Sequence, residues 1–473
     1  MNRTNHCPRK ALRTRSAVPV LLFIFALSIT SCSKNTVETS AGSDTPSVPS
    51  AASRINREAA GICGIAPRTA DCSDLSAAGI FETITDRSNT DAVSGGTDRS
   101  DDISGNTGGG DDISETIGNG ALSENSGSEP LPGDPDFRVH GIYVTATVTG
   151  TSRMEELIRL ADETDINAFV IDIKDDRGNI TYQMATPTVE RVGSSVTYIS
   201  DIESLIAECK AHHIYLIARI VSFKDPCLAA AMPEYALHEA DGTLYRDNSG
   251  QAWLNPYNRE VWDYLMEIAK EAARIGFDEI QFDYIRFSTD RGMERVVFGE
   301  DSEEVSKSDV INAFTRYARE TLAPLSVTVS ADVYGTIIDS TWDQQIVGQN
   351  YAMMARELDV ICPMVYPSHY GPGVYRVPIP DTDPYRTVTG ALNASRAVLD
   401  QYGHDTIFSV LQDGMPVTTR VRPWLQAFTA TWVSGHIEYG RDEIQAQVQA
   451  VRDAGYDEWI FWNASVKYDQ DWF

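Results

Sequence analysis

From Asp136 onward the chain alternates short apolar runs with amphipathic stretches of helical period. The strand-like runs are 139–146, 168–174, 214–221, 279–287, 326–334, 360–366, 420–428 and 458–464. Between them, apolar residues recur every three to four positions over 202–211, 259–275, 308–321, 342–357, 387–401 and 441–454, the period of one helix face. Several of these stretches stop at a glycine (Gly276, Gly403, Gly455), a residue that closes a last helical turn in the left-handed conformation. Strand–helix repetition with short connections predicts a parallel sheet with helical cover. Eight units fit an α/β fold of (β/α)8, or TIM-barrel, type better than an open sheet. No glycine-rich phosphate fingerprint follows the first strand, which removes the main support for a dinucleotide-binding fold.

A barrel also says where chemistry gathers, because active sites lie at the C-terminal strand ends and alternation assigns the inner face. In 277–287 (FDEIQFDYIRF), Ile280, Phe282 and Tyr284 are expected to face the helices, so Gln281 and Asp283 point inward, with Asp283 near the mouth. In 327–334 the valines face out and Thr328, Ser330 and Asp332 face in. Asp172 and Lys174 share the inner face of the second strand, and Arg219 ends the third. Met364 and Tyr366 close the sixth, Gln426 the seventh and Trp462 the eighth. Two carboxylates across an acetal oxygen can serve as acid and base, or as acid and nucleophile. Aromatic rings suit the apolar face of a sugar. Asp172 between Lys174 and Arg219 also fits a structural ion-pair network.

The first 135 residues read differently. Basic residues Arg3, Arg9, Lys10, Arg13 and Arg15 precede an apolar run over 17–29, too short for a comfortable permanent span of a bilayer. The run ends in Ile29-Thr30-Ser31-Cys32, which resembles the lipobox of bacterial lipoproteins. That resemblance implies a signal peptide over 1–31, lipidation of Cys32, and a protein held on the outer face of a bacterial membrane by its lipid alone. From 33 to 135 Ser, Thr, Gly, Asp and Asn dominate, with 17 acidic and 6 basic side chains and Phe81 as the sole aromatic. So little apolar surface cannot offset ordering entropy, and 32–135 is expected to be a disordered acidic tether ahead of the 136–473 barrel. Cys63 and Cys72 are spaced to close a small loop.

Composition narrows the partners. Over its 473 residues the chain carries 68 acidic against 39 basic side chains, a net charge of −29 that repels phosphate backbones and argues against nucleic acid. At 42% hydrophobic it can fill a core but not a set of membrane spans. The seven cysteines form no zinc-like pair. The eight histidines form no ligand cluster at a strand end, so neither a metal nor another cofactor is expected.

The segments FDEIQFDYIRF, VIDIKDDRGNITY, ICPMVYPSHYG, RPWLQAF and GYDEWIFWNAS resemble the bacterial "putative glycosyl hydrolase domain" family of extracytoplasmic barrels, over most of 136–473. A more distant similarity runs to chitinase-like family 18 glycoside hydrolases. On that frame Asp278, Gln281, Asp283 and Ile285 fall on the fourth-strand DxxDxDxE motif, Met364 and Tyr366 on the MxY motif, and Trp462 on the Trp ending the eighth strand. The acid position is then Ile285, which cannot protonate a leaving group. The α-amylase-like arrangement, with an Asp nucleophile after strand four and an acid after strand five, implies Asp283 as nucleophile or stabiliser and Asp332 as general acid/base. Asp172, Lys174, Arg219, Gln281, Tyr366, His369, Gln426 and Trp462 are the expected substrate contacts. The expected activity is hydrolysis of an extracellular or cell-wall polysaccharide by a monomer. The alternatives are a carbohydrate-binding barrel without chemistry, a metal-dependent deacetylase or amidase, and a structural envelope protein.

Overall fold

The computed structural model describes residues 131–134, 136–404 and 419–473. The expected signal segment, Cys32, Cys63, Cys72 and all of the tether except 131–134 lie outside the described residues. Eight parallel strands close into a barrel: β1 (His140–Val144), β2 (Ala168–Lys174), β3 (Tyr215–Val221), β4 (Glu279–Asp283), β5 (Thr328–Tyr334), β6 (Val360–Met364), β7 (Arg420–Val421 with Trp424–Gln426) and β8 (Trp459–Trp462). Each pairs with its sequence neighbour, and β8 pairs with β1 through His140 opposite Trp459, which completes the ring.

Alternation along these strands separates two cores. Phe169, Ile171 and Ile173 of β2 join the large cluster between sheet and helices. Ala168 and Val170 join a smaller cluster with Tyr215, Ile217, Val360 and Ile460 that fills the barrel. The helices follow from their caps and stripes. Arg259–Ile275 starts at Asn258, whose side chain accepts the Glu260 N–H, and stops at Gly276 in the left-handed region. Its buried stripe includes Trp262, Leu265, Ile268 and Ala272, and each large aliphatic side chain so buried is worth roughly 1.5–3 kcal/mol.

Four local features depart from the sequence pattern. Ser152–Glu163, capped by the Thr151 hydroxyl on Arg153 N, supplies the connection between β1 and β2 that the pattern did not single out. The helix expected over 342–357 is two, Thr341–Val347 and Tyr351–Arg356, because Gly348 ends the first and Asn350 caps the second. The seventh strand breaks at Arg422-Pro423, where proline has no N–H for the ladder. The fourth strand ends at Asp283 rather than Phe287, because Tyr284 adopts a positive φ of 51°.

The N-terminal end of the barrel is closed by ions as well as apolar side chains. Arg422, fully buried, donates from Nη1 to both Glu279 oxygens at 2.7 and 2.9 Å and from Nε to Glu458 at 3.0 Å. Arg420 donates to the other Glu458 oxygen at 2.8 Å, and Ser330 and Tyr215 hydroxyls donate to Glu279. Burial works against the charge on Glu458, yet Arg422 and Arg420 hold its carboxyl below the usual range.

Candidate active site

At the opposite end of the barrel a second buried network surrounds Arg219 of β3. Its Nη1 donates to Asp172 Oδ1 at 2.5 Å, and its Nη2 and Nε donate to Asp283 Oδ2 at 2.5 and 3.1 Å. The Tyr143 hydroxyl donates to the remaining Asp172 oxygen, and the Tyr284 N–H donates to Asp283 Oδ1 at 2.6 Å. Asp332 of β5 stands beside this network and accepts a 2.6 Å bond from Trp424 Nε1. Of these groups Arg219, Asp283, Asp332 and Trp424 line a cleft of about 210 Å³. Its walls are Tyr284, Arg286, Tyr334, Met364, Tyr366 and Trp462.

One guanidinium cannot neutralise three buried carboxylates, and the proton affinities record this. Burial, and then the neighbouring Asp283 charge, push the Asp332 carboxyl well above the usual range, against the pull of Arg219 and Trp424. Burial also raises Asp172, although Arg219 and the Tyr143 hydroxyl act in the other direction. Burial disfavours charge on Arg219 itself, but Asp283 and Asp172 hold it firmly protonated. A carboxyl on Asp332 that holds its proton more tightly than usual, beside an Arg-bound Asp283, is a pairing suited to donating a proton from one side and offering negative charge from the other.

The cleft gathers five of the residues expected from sequence: Arg219, Asp283, Asp332, Tyr366 and Trp462. Asp172 lies behind Arg219 and orients it. Trp462 stacks on Tyr143 at 4.0 Å between ring centres, and the Arg219 guanidinium lies over both rings. His369 stands outside, exposed on the rim, its ring edge-on to Tyr366 at 5.2 Å. Beyond it Phe428 and the 65% exposed Trp432 continue the aromatic surface away from the cleft.

Three expected contacts are shut away instead. Lys174 is fully buried against Asp225 at 2.9 Å and the Val221 carbonyl at 2.6 Å. A bulge between Asp172 and Lys174 turns it off the inner face, and Asp225 in turn caps the helix Pro226–Ala231. Gln281 lies one layer below Asp283, fully buried, with its Nε2 on Cys362 Sγ at 3.4 Å. Gln426 is a bracket between loops, accepting from Ser368 N and donating to Asp381 and the Phe428 carbonyl, each at 3.0 Å.

Other cleft residues were not singled out from the pattern. Trp424 and Tyr334 share parity with Gln426 and Asp332, so alternation carried the signal for both. Tyr284 and Arg286 are different. The left-handed Tyr284 resets the alternation, which brings Tyr284 and Arg286 to the cleft and sends Ile285 into the helix-facing core with no exposure. Tyr284 therefore does not face the helices, and the position that the chitinase-like frame reserves for the acid does not reach the cleft. Among the described residues no three His, Cys, Asp or Glu side chains are grouped to hold a metal ion.

The profile of the "putative glycosyl hydrolase domain" family matches residues 141–468, from within β1 to beyond β8. Among solved structures, a hypothetical protein from Ruminiclostridium thermocellum is 40% identical, covering 41% of this chain and 97% of its own, with a TM-score of 0.38. The PgaB (BpsB) glycoside hydrolase domain from Bordetella bronchiseptica is 13% identical, covering 69% and 94%, with a TM-score of 0.46. The spore cortex-lytic enzyme SleL of Bacillus megaterium QM B1551 is 13% identical, covering 72% and 74%, with a TM-score of 0.40. No curated protein matches the sequence. Matched over well more than half its length, the chain belongs to the "putative glycosyl hydrolase domain" family, a glycoside hydrolase family by that description.

Proposed function

We propose that this barrel hydrolyses glycosidic bonds in an extracellular or cell-wall polysaccharide, held at the outer face of the membrane by lipid on Cys32. The observation that carries the reading is the meeting in one cleft of Asp332, held by Trp424 Nε1 and with its carboxyl pushed well above the usual range by burial and the Asp283 charge, and Asp283, whose Oδ2 receives two bonds from Arg219. Asp332 is the general acid: it gives its proton to the leaving-group oxygen and, as a carboxylate, takes one back from the attacking water. Asp283 is the nucleophile, or the fixed negative charge that stabilises the oxocarbenium-like transition state. Trp462 and Tyr366 offer faces on which a sugar ring can rest.

A second reading, a carbohydrate-binding barrel without chemistry, draws on the same site. Both Asp283 oxygens already accept protein N–H groups, which weakens a nucleophile but not a binding group. The deciding experiment incubates the protein with bacterial and plant polysaccharides and assays new reducing ends, with Asp332→Asn and Asp283→Asn alongside. Release by the wild type alone supports the hydrolase, whereas retention on a glycan without release supports the binding barrel. For the anchor, labelled palmitate incorporated by the wild type and lost in Cys32→Ala is the expected result; label kept in the variant overturns it.

A further inference from the structure

The cations around the cleft are not equally occupied. Arg219 serves two carboxylates, and Lys224, which lies over the Tyr284 ring, is paired with Asp176 at 3.2 Å. Arg286 has neither arrangement. Its residue is only 9% exposed, it lines the cleft, and its guanidinium lies over the rings of Tyr334, Tyr284 and Trp253 at 4.6, 5.0 and 5.1 Å. Among the described residues its one hydrogen bond runs from Nη1 to the Phe287 carbonyl at 3.0 Å. Among the described residues no Asp or Glu carboxylate lies within ion-pair distance of it.

A cation this far from water is costly without a counter-charge, and aromatic faces offset only part of that cost. The remaining N–H donors of a guanidinium form a planar fork that matches a carboxylate. The surrounding rings limit the exposure of Arg286 to 9%, and an attraction to an anion is stronger in such a low-dielectric setting than in open water. The overall charge of −29 works against non-specific attraction of polyanions, so any preference for an acidic ligand has to arise locally.

We propose that Arg286 is the recognition group for a carboxylate carried by the substrate, so that the glycan taken by this cleft contains uronic-acid residues. The proposal rests on the reading of the cleft as a sugar site. It assigns Arg286 to binding and specificity rather than to proton transfer, and it makes the left-handed Tyr284 the device that delivers the guanidinium to the cleft.

The test measures affinity of the full chain for polyglucuronate, polygalacturonate and alginate, each beside its carboxyl-reduced counterpart, with dextran sulfate beside dextran as a further arm. At least one polyuronate is expected to bind roughly 10–100-fold more tightly than its reduced form, the range for a hydrogen bond to a charged group. Arg286→Gln should bring that ratio close to one, and Arg286→Lys should keep part of it. Equal binding of every polyuronate and its reduced form overturns the proposal, a comparison that needs only the wild type. A ratio that persists in a folded Arg286→Gln protein overturns it too, as does preference for the sulfated polymer alone. Reducing ends assayed in the same samples separate the two readings. Acid-selective binding without cleavage sinks the hydrolase and leaves the carboxylate site standing. Cleavage without acid selectivity does the reverse.

Discussion

The two ends of the barrel each carry a buried arginine between two carboxylates, and they have opposite electrostatic characters. At the N-terminal end Glu279 and Glu458 face Arg422 and Arg420, and the charges balance. At the C-terminal end Asp172, Asp283 and Asp332 share Arg219, and the sum is left negative. The first end holds its Glu458 carboxyl below the ordinary range, and the second pushes two carboxyls above it. Both are buried arginine–carboxylate sites, and a list of ion pairs would not tell them apart. Imbalance does: the balanced network joins strands, whereas the unbalanced one raises the proton affinity of its carboxyls, a property of groups suited to proton transfer.

The largest break in the comparison should come from Asp332→Asn. Turnover is expected to fall about 10²–10⁴-fold, the range for loss of a positioned acid, while the fold is kept. Full activity in a folded variant would remove Asp332 from the chemistry. Arg422→Met should act on stability instead, because it leaves the buried Glu279 without its cation while Glu458 keeps only Arg420; breaking a buried pair in this way costs about 3–5 kcal/mol. A lower denaturant midpoint with unchanged activity per folded molecule is the expected pattern, and lost activity at full stability would contradict it.

Titration sharpens the contrast next, since the two ends carry opposite signs. Asp332 and Asp172 bind protons more tightly folded than unfolded, so they erode stability as pH rises from about 4 through their folded values. Glu458 binds its proton less tightly folded, so its contribution is present above the ordinary Glu value and is lost as pH falls through the folded one. Melting temperatures across pH should show Asp332→Asn flattening the decline on the rising side and Glu458→Gln flattening the acid side. Identical profiles for the two variants would erase the distinction. The smallest effect is expected at the rim, where Trp432→Ala removes one exposed aromatic face worth about 0.5–1.5 kcal/mol. A few-fold rise in KM with kcat unchanged is the expected reading, and a fall in kcat would place Trp432 closer to the reaction than its ring contacts do.

Most of the barrel is legible in the sequence because each buried strand writes its parity into side-chain type. The seven-residue β2 is the clearest case, with Phe169, Ile171 and Ile173 outward and Asp172 inward. Legibility fails wherever the backbone changes parity without a glycine or a composition change to mark it. The bulge after Asp172 sends Lys174 to Asp225, and the positive φ at Tyr284 exchanges Ile285 for Arg286. Both lie at strand ends, the positions where loops begin and where pattern is weakest. Gln426 fails for another reason, since its role depends on Ser368 and Asp381, contributed by a different loop.

The closing seam of the barrel has a kinetic consequence. The contact from Val139 to Glu458 joins positions 319 apart, and Arg422 reaches Glu279 across 143. Until β8 arrives, β1 and β7 both present open sheet edges, and the balanced charge network cannot form. Such non-local closure slows folding, because the entropy of the intervening loops is lost before the final contacts compensate for it. A chain emerging N-terminus first therefore holds an unsealed sheet until β8 appears, and its capacity to self-associate is set by how long that interval lasts.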